Sequence, residues 1–225
     1  MNKKGFTLAE VLITLGIIGV VAAMTLPTLI QNYRKHEVET KLAKVYSVVN
    51  QAIKLSTVEY GEPAEWDDWD CGHSGGVTCT TDEAIEKFNK YIGNHLHISK
   101  IEKSDDGKSF YVYLNDGGIL QIYNYLYDIV FHTNPKYIKN TSFGTYSFIF
   151  KFEPKLPSLI SQGGGNYAYV VSPMFEPYLY GWDGTNEGLT RTSNNIACGG
   201  TKSNYCTKLI QMNGWKIPKD YPFKF

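Results

Sequence analysis

The 225-residue chain lacks an excess of either charge: 22 Lys and Arg stand against 22 Asp and Glu. That balance removes the electrostatic ground for nucleic acid as a principal ligand. The chain also lacks an H-E-x-x-H helix and a P-loop, so neither a zinc-protease helix nor a phosphate cradle is signalled. Cysteine is scarce. Cys71, Cys79, Cys198 and Cys206 form two close pairs in loop-like stretches, without the tight C-x-x-C spacing of a zinc site. In an exported chain such even pairing reads as disulfides. Local pairing, Cys71 with Cys79 and Cys198 with Cys206, is the simpler choice, and cross-pairing stays open. The acidic run Asp67-Asp68-Trp69-Asp70 has no D-x-[DN]-x-[DN]-G spacing and reads as a solvated loop. Asp183, Asn186 and Glu187 resemble a calcium loop only faintly; no other cofactor is signalled.

What the chain does have is concentrated at one end. Lys3-Lys4-Gly5-Phe6-Thr7-Leu8-Ala9-Glu10-Val11-Leu12-Ile13 opens an apolar run that continues to Ile30. About 20 apolar residues suffice to cross a bilayer as a helix. Glu10 lies inside that run. A lone carboxylate in lipid costs about 2.5 kcal/mol or more, so a segment that keeps one is expected to supply it with a partner.

Three readings compete for this stretch. A secretory signal would use Lys3 and Lys4 as its charged start and Val21-Ala22-Ala23 as its cleavage site. Glu10 and the apolar character beyond Ala23 resist it. A plain anchor explains the length but leaves Glu10 alone. The third reading rests on Lys3 to Glu10 as a unit, which resembles the leader of type IV pilins and type II secretion pseudopilins. The resemblance covers roughly residues 1–55. It implies cleavage between Gly5 and Phe6 by a prepilin peptidase, N-methylation of Phe6, and pairing of Glu10 with the Phe6 amine of a neighbouring subunit. It also implies that Gly19 and Pro27 loosen the helix on assembly. The C-terminal cysteine pair resembles the family's disulfide-closed loop.

Electrostatics favour the same arrangement. A free α-amine has a pKa of about 8 and is largely cationic at neutral pH. An amine and a carboxylate attract far more strongly in lipid than in water.

Beyond Pro27 the pattern becomes one-sided. Val38, Leu42, Val45, Val49 and Ala52 recur at steps of four and three, with Tyr46 and Ile53 beside them. The helix is expected to end near Tyr60, before Gly61-Glu62-Pro63. Thr80-Thr81-Asp82-Glu83 is a capping box opening a short helix with Ile85, Phe88, Ile92 and Leu96 as its inner face. Residues 109–114 and 119–123 flank Asn115-Asp116-Gly117-Gly118 as a hairpin. Residues 146–152 and 167–171 are further strands. His95 and His97 read as surface or packing residues.

These pieces predict an α+β chain: a leader (1–5), a membrane or filament-core helix (6–30), its amphipathic continuation (31–60) and an antiparallel β-sheet head (61–225). The expected function is a structural subunit, not an enzyme, of a type II secretion pseudopilus or type IV pilus-like filament. A DNA-uptake pilin using Lys136, Lys139, Lys151 and Lys155, and an anchored exported adhesin, are the alternatives. The expected partners are other pilin subunits, the peptidase and methyltransferase, an inner-membrane assembly platform, and lipid before assembly. The expected location is the bacterial inner membrane, N-terminus cytoplasmic and head outside, followed by a periplasmic or surface filament. Lys3 and Lys4 favour that orientation, Arg34, Lys35, Lys41 and Lys44 at the other end oppose it, and the leader and the cysteine usage decide for it.

Overall fold

The structure, a computed structural model, describes residues 5, 7–66, 69, 71, 79–139, 141–154, 173–191 and 193–225. Lys3, Lys4, Phe6, Lys155, the expected strand at 167–171 and most of the acidic loop lie outside the described residues.

Helix α1 (Leu8–Tyr60) runs unbroken for 53 residues, or about 80 Å at 1.5 Å per residue. Thr7 caps its start, and Gly61, at φ 76°, ends it with its N–H on the Thr57 carbonyl. The helix has two unlike halves. No residue from Leu8 to Arg34 is buried, whereas Val38, Leu42, Val45, Val49, Ala52 and Ile53 are. The change follows the sequence pattern, because only the second half concentrates its apolar residues on one side.

Six strands pair antiparallel in chain order: β1 (Ile98–Lys103), β2 (Ser109–Leu114), β3 (Ile119–Tyr123), β4 (Asp128–His132), β5 (Ser147–Lys151) and β6 (Glu176–Pro177). Alternate residues face α1. Phe110 and Val112, Leu120 and Ile122, Ile129 and Phe131, Phe148 and Phe150 join the helix stripe in one core. The β2–β3 hairpin closes with Tyr113 opposite Ile119. Its turn needs glycine twice. Gly117 sits at φ 83°, and a Cβ on Gly118 would meet the Phe131 ring at 2.7 Å.

Helix α2 (Thr81–Tyr91) starts at the expected capping box of Thr80 and Glu83. Its buried face is Thr81, Ala84, Phe88 and Tyr91, turned from the expected one, and Ile85 is only half-buried. The helix stops at Tyr91, so Ile92 and Leu96 enter the core from the following turn instead. Trp66 stacks on Tyr91 at 4.5 Å and Trp69 meets Phe152 edge-on at 5.0 Å. These rings tie the exit of α1 to α2 and to the end of β5.

Two short helices follow, α3 (Asn186–Thr190) and α4 (Cys206–Met212). The disulfides join Cys71 to Cys79 and Cys198 to Cys206. After α4 the chain reverses through Gly214 and Trp215, both at positive φ. Left-handed backbone is strained for a bulky residue. Here the turn lays the Trp215 ring against Tyr46 of α1, centroids 4.9 Å apart.

Candidate assembly site

The first half of α1 is an apolar rod, and among the described residues nothing buries it from Leu8 to Ile30. Leu8, Leu12, Ile13, Leu15, Ile17, Ile18, Met24 and Leu29 are each at least 60% exposed. Its best 18-residue window has a mean hydropathy of 2.2 and none of it is buried. From Leu8 to Ile30 the helix spans about 34 Å, enough for a hydrocarbon core of about 30 Å. Two of its hydroxyls are turned inward on the backbone: Thr14 Oγ1 donates to the Glu10 carbonyl at 3.0 Å and Thr25 Oγ1 to the Val21 carbonyl at 2.9 Å. That suits a solvent unable to hydrogen-bond.

Glu10 is not bare in the single chain. Its Oε2 accepts from the Thr7 N–H and from the Thr7 hydroxyl, both at 2.8 Å, while the Glu10 N–H donates to Thr7 Oγ1 at 3.3 Å. This is a second capping box, Thr7-x-x-Glu10, with the same letters as the one at Thr80. Sequence reasoning singled out Glu10 but missed that cap, although the pattern was present to be read. Gly5 is exposed beside it, and Phe6 lies outside the described residues. Gly19 and Pro27 sit in continuous, exposed helix. Lacking an N–H, Pro27 leaves the Ala23 carbonyl without its usual helical donor.

The second half of α1 holds the head by polar ties, most of them on residues that interrupt the apolar stripe. The Asn50 amide donates to the Phe175 carbonyl at 3.0 Å and accepts from the Phe175 N–H at 2.9 Å, both buried. The Tyr46 hydroxyl donates to Glu176 Oε1 at 2.8 Å, and Gln211 Nε2 reaches Oε2 of the same carboxylate at 3.1 Å. Burial and the Glu176 carboxylate push the Tyr46 hydroxyl up to about 12. Lys41 Nζ donates to the Thr133 carbonyl at 2.7 Å, and Lys44 pairs with Asp116 of the β2–β3 turn at 2.8 Å.

Buried Glu39 takes the Ile217 N–H at 2.9 Å and Lys216 Nζ at 3.1 Å. Burial raises the Glu39 carboxyl, but those two donors outweigh it and hold it below the usual range. Glu39, Tyr46 and Asn50 were missed as a set. Their signal was polar side chains falling on the stripe at helical spacing.

The other sequence candidates are dispersed. Asp183 Oδ1 accepts from the Thr185 N–H and hydroxyl, Thr185 caps α3, and Glu187 pairs with Arg191 at 3.4 Å. Among the described residues no group of three His, Cys, Asp or Glu could hold a metal ion. Lys151 pairs with Glu153, and Lys136 lies over Tyr137. His95 is half-buried and His97 exposed. Gly72-His73-Ser74-Gly75-Gly76 carries the letters of a G-x-S-x-G elbow but lies outside the described residues, between Cys71 and Cys79. An elbow needs a strand before its serine, and among the described residues the first strand, β1, comes after it.

Two family models match the chain. The prokaryotic N-terminal methylation motif covers residues 1–26. A family of unknown function (DUF6613) covers residues 28–225. Comparison with curated proteins and with solved structures finds no match.

Proposed function

We propose, for a chain that belongs to the DUF6613 family and is marked as type IV pilin-like by its methylation motif, a role as structural subunit of a pseudopilus or pilus-like filament. The observation that carries this reading is the methylation motif leading directly into a bare apolar rod that keeps one carboxylate, Glu10. The precursor is held in the membrane by α1. A prepilin peptidase cuts between Gly5 and Phe6, and the new amine of Phe6 is methylated. In this reading the chain is the substrate of processing enzymes and not itself a catalyst.

Cleavage leaves the Thr7–Glu10 cap intact, because Thr7 keeps its amide N–H. It also places a cationic amine at the positive end of a helix, where a cation is disfavoured. Glu10 of an adjoining copy relieves that conflict, and each docking sets the axial step to the next. The rod then exchanges lipid for neighbouring rods, and the head stays outside on the second half of α1. The neutral overall charge, with Lys151 paired to Glu153 and Lys136 over Tyr137, gives the DNA-uptake alternative no particular support.

Two measurements test this. Mass spectrometry of the mature chain should show a methylated N-terminal Phe6; a start at Met24 would overturn the reading. Glu10→Leu should insert normally and fail to enter filaments. Unimpaired incorporation of that variant would refute the pairing.

A further inference from the structure

The chain's C-terminal segment folds back along α1 to the level where the apolar rod ends. A shallow hollow of about 170 Å³ there is lined by Gln31, Asn32 and Lys35 of α1 and by Lys219, Phe223 and Lys224 of the tail, among others. Glu39, holding the Ile217 N–H and Lys216 Nζ, fixes the tail at this height. The result is a ring of cations, Lys35, Lys219 and Lys224, drawn from segments far apart in sequence. Among the described residues none of these three forms an ion pair. Of the acids close by, Glu39 pairs with Lys216 and also faces Lys35, Glu37 pairs with Lys41, and Asp220 is exposed. Tyr33, 70% exposed, stands at the same height on α1, and the half-buried tail rings Phe223 and Phe225 line the hollow.

We infer that this ring is a binding surface for anionic phospholipid headgroups, used while the chain still resides in the membrane. The inference rests on the membrane-spanning reading of α1 but not on filament assembly. Depth is the first argument. Lys35 stands five residues beyond Ile30, about 7.5 Å along the axis, at the outer limit of a headgroup layer that extends about 5–7.5 Å beyond the hydrocarbon. Charge is the second. Basic residues within a Debye length of an anionic surface, about 8–10 Å, are attracted to it. Composition is the third, because aromatic rings beside the cations match the belt that marks membrane–water boundaries. The ring is continuous with the rod, so inserting α1 brings it to the headgroups without a further conformational change.

The test uses the full-length chain reconstituted in nanodiscs of phosphatidylglycerol and phosphatidylcholine in equal parts. Native mass spectrometry reads the lipids that stay bound. The wild type should retain phosphatidylglycerol preferentially, and added salt should erase the preference. The K35Q/K219Q/K224Q variant should lose it, by up to roughly fivefold for each charge removed, and arginine at the same three positions should restore it. Equal retention of both lipids by the wild type, or an undiminished preference in the glutamine variant, overturns the inference. A glutamine variant that keeps its lipid preference yet fails to join filaments would assign the ring to an acidic face of a neighbouring copy instead. Resistance to alkaline carbonate extraction is read in parallel. A chain that washes off fails the membrane reading itself, whereas one that stays without lipid preference fails only the ring.

Discussion

Asn50 shows how much one side chain can settle. Its amide makes the same pair of bonds to Phe175 that a facing strand residue would make. It docks the segment leading into β6 onto a helix. Removing it strands a buried N–H and a buried carbonyl together, and each such orphan costs about 1–3 kcal/mol. Asn50→Ala should therefore lower unfolding stability by roughly 2–6 kcal/mol, read by urea titration in micelles. A loss within error would mean that water replaces the amide.

His132 carries a different signature. It is fully buried in β4, bonded to Ser147 Oγ at 3.0 Å and Gln121 Oε1 at 3.1 Å, and burial lowers its pKa to about 4. The folded state therefore refuses a proton that the unfolded chain accepts below about 6.5. Stability should fall as pH drops from about 6.5 toward 4, by roughly 3 kcal/mol in all. Half-buried Asp128, whose carboxyl is raised by desolvation, opposes this at the acid end of the window. The urea midpoint plotted against pH should show the slope, and His132→Gln should flatten it. An equal slope in that variant would move the effect elsewhere.

Elements divide according to how loudly their residues speak. Helix α1, the α2 capping box and the β2–β3 hairpin were all readable, because period, cap and turn each have a fixed residue pattern. Strand β4 was not: Ile129, Val130, Phe131 and His132 are all buried, so the strand has no polar alternation to betray it. Strand β1, with Ile98 and Ile101 three apart among charged residues, imitates a helix, and β6 has only two residues. The short α4 lay hidden in an aromatic tail. It opens at Cys206, whose disulfide to Cys198 holds that helix to the preceding loop.

Closing a loop of that length is worth about 2.5 kcal/mol on the chain-entropy account. C198A/C206A should lose roughly that amount and expose the stretch around Arg191 to Lys208 to limited proteolysis. A variant cut no faster than the wild type would show that packing of Tyr205 and Leu189 alone suffices.

The molecule as a whole is a bare rod joined to a head along one seam, and the seam has two ends. Glu39 grips the tail near the membrane end, while Asn50 grips the β6 segment about 16 Å further along α1. Between them, Tyr46, Glu176 and Gln211 form a connected set. Two limits can be distinguished. If the head docks as one rigid body, loosening either end weakens the other, and the two losses couple. If each grip fixes only its own segment, the losses add, as they usually do within about 0.5 kcal/mol for sites more than 7–10 Å apart. The geometry favours addition, because Glu39 holds a tail that follows α4 whereas Asn50 holds a strand of the sheet. A double-mutant cycle of Glu39→Ala and Asn50→Ala should therefore show an interaction energy below about 0.5 kcal/mol. Hydrogen exchange should rise around 213–225 in the first variant and around 173–177 in the second. A coupling above about 1 kcal/mol, or exchange rising at both places in either single variant, would make the head one rigid clamp. The tail, and the cations it carries, would then respond to any strain placed on the sheet.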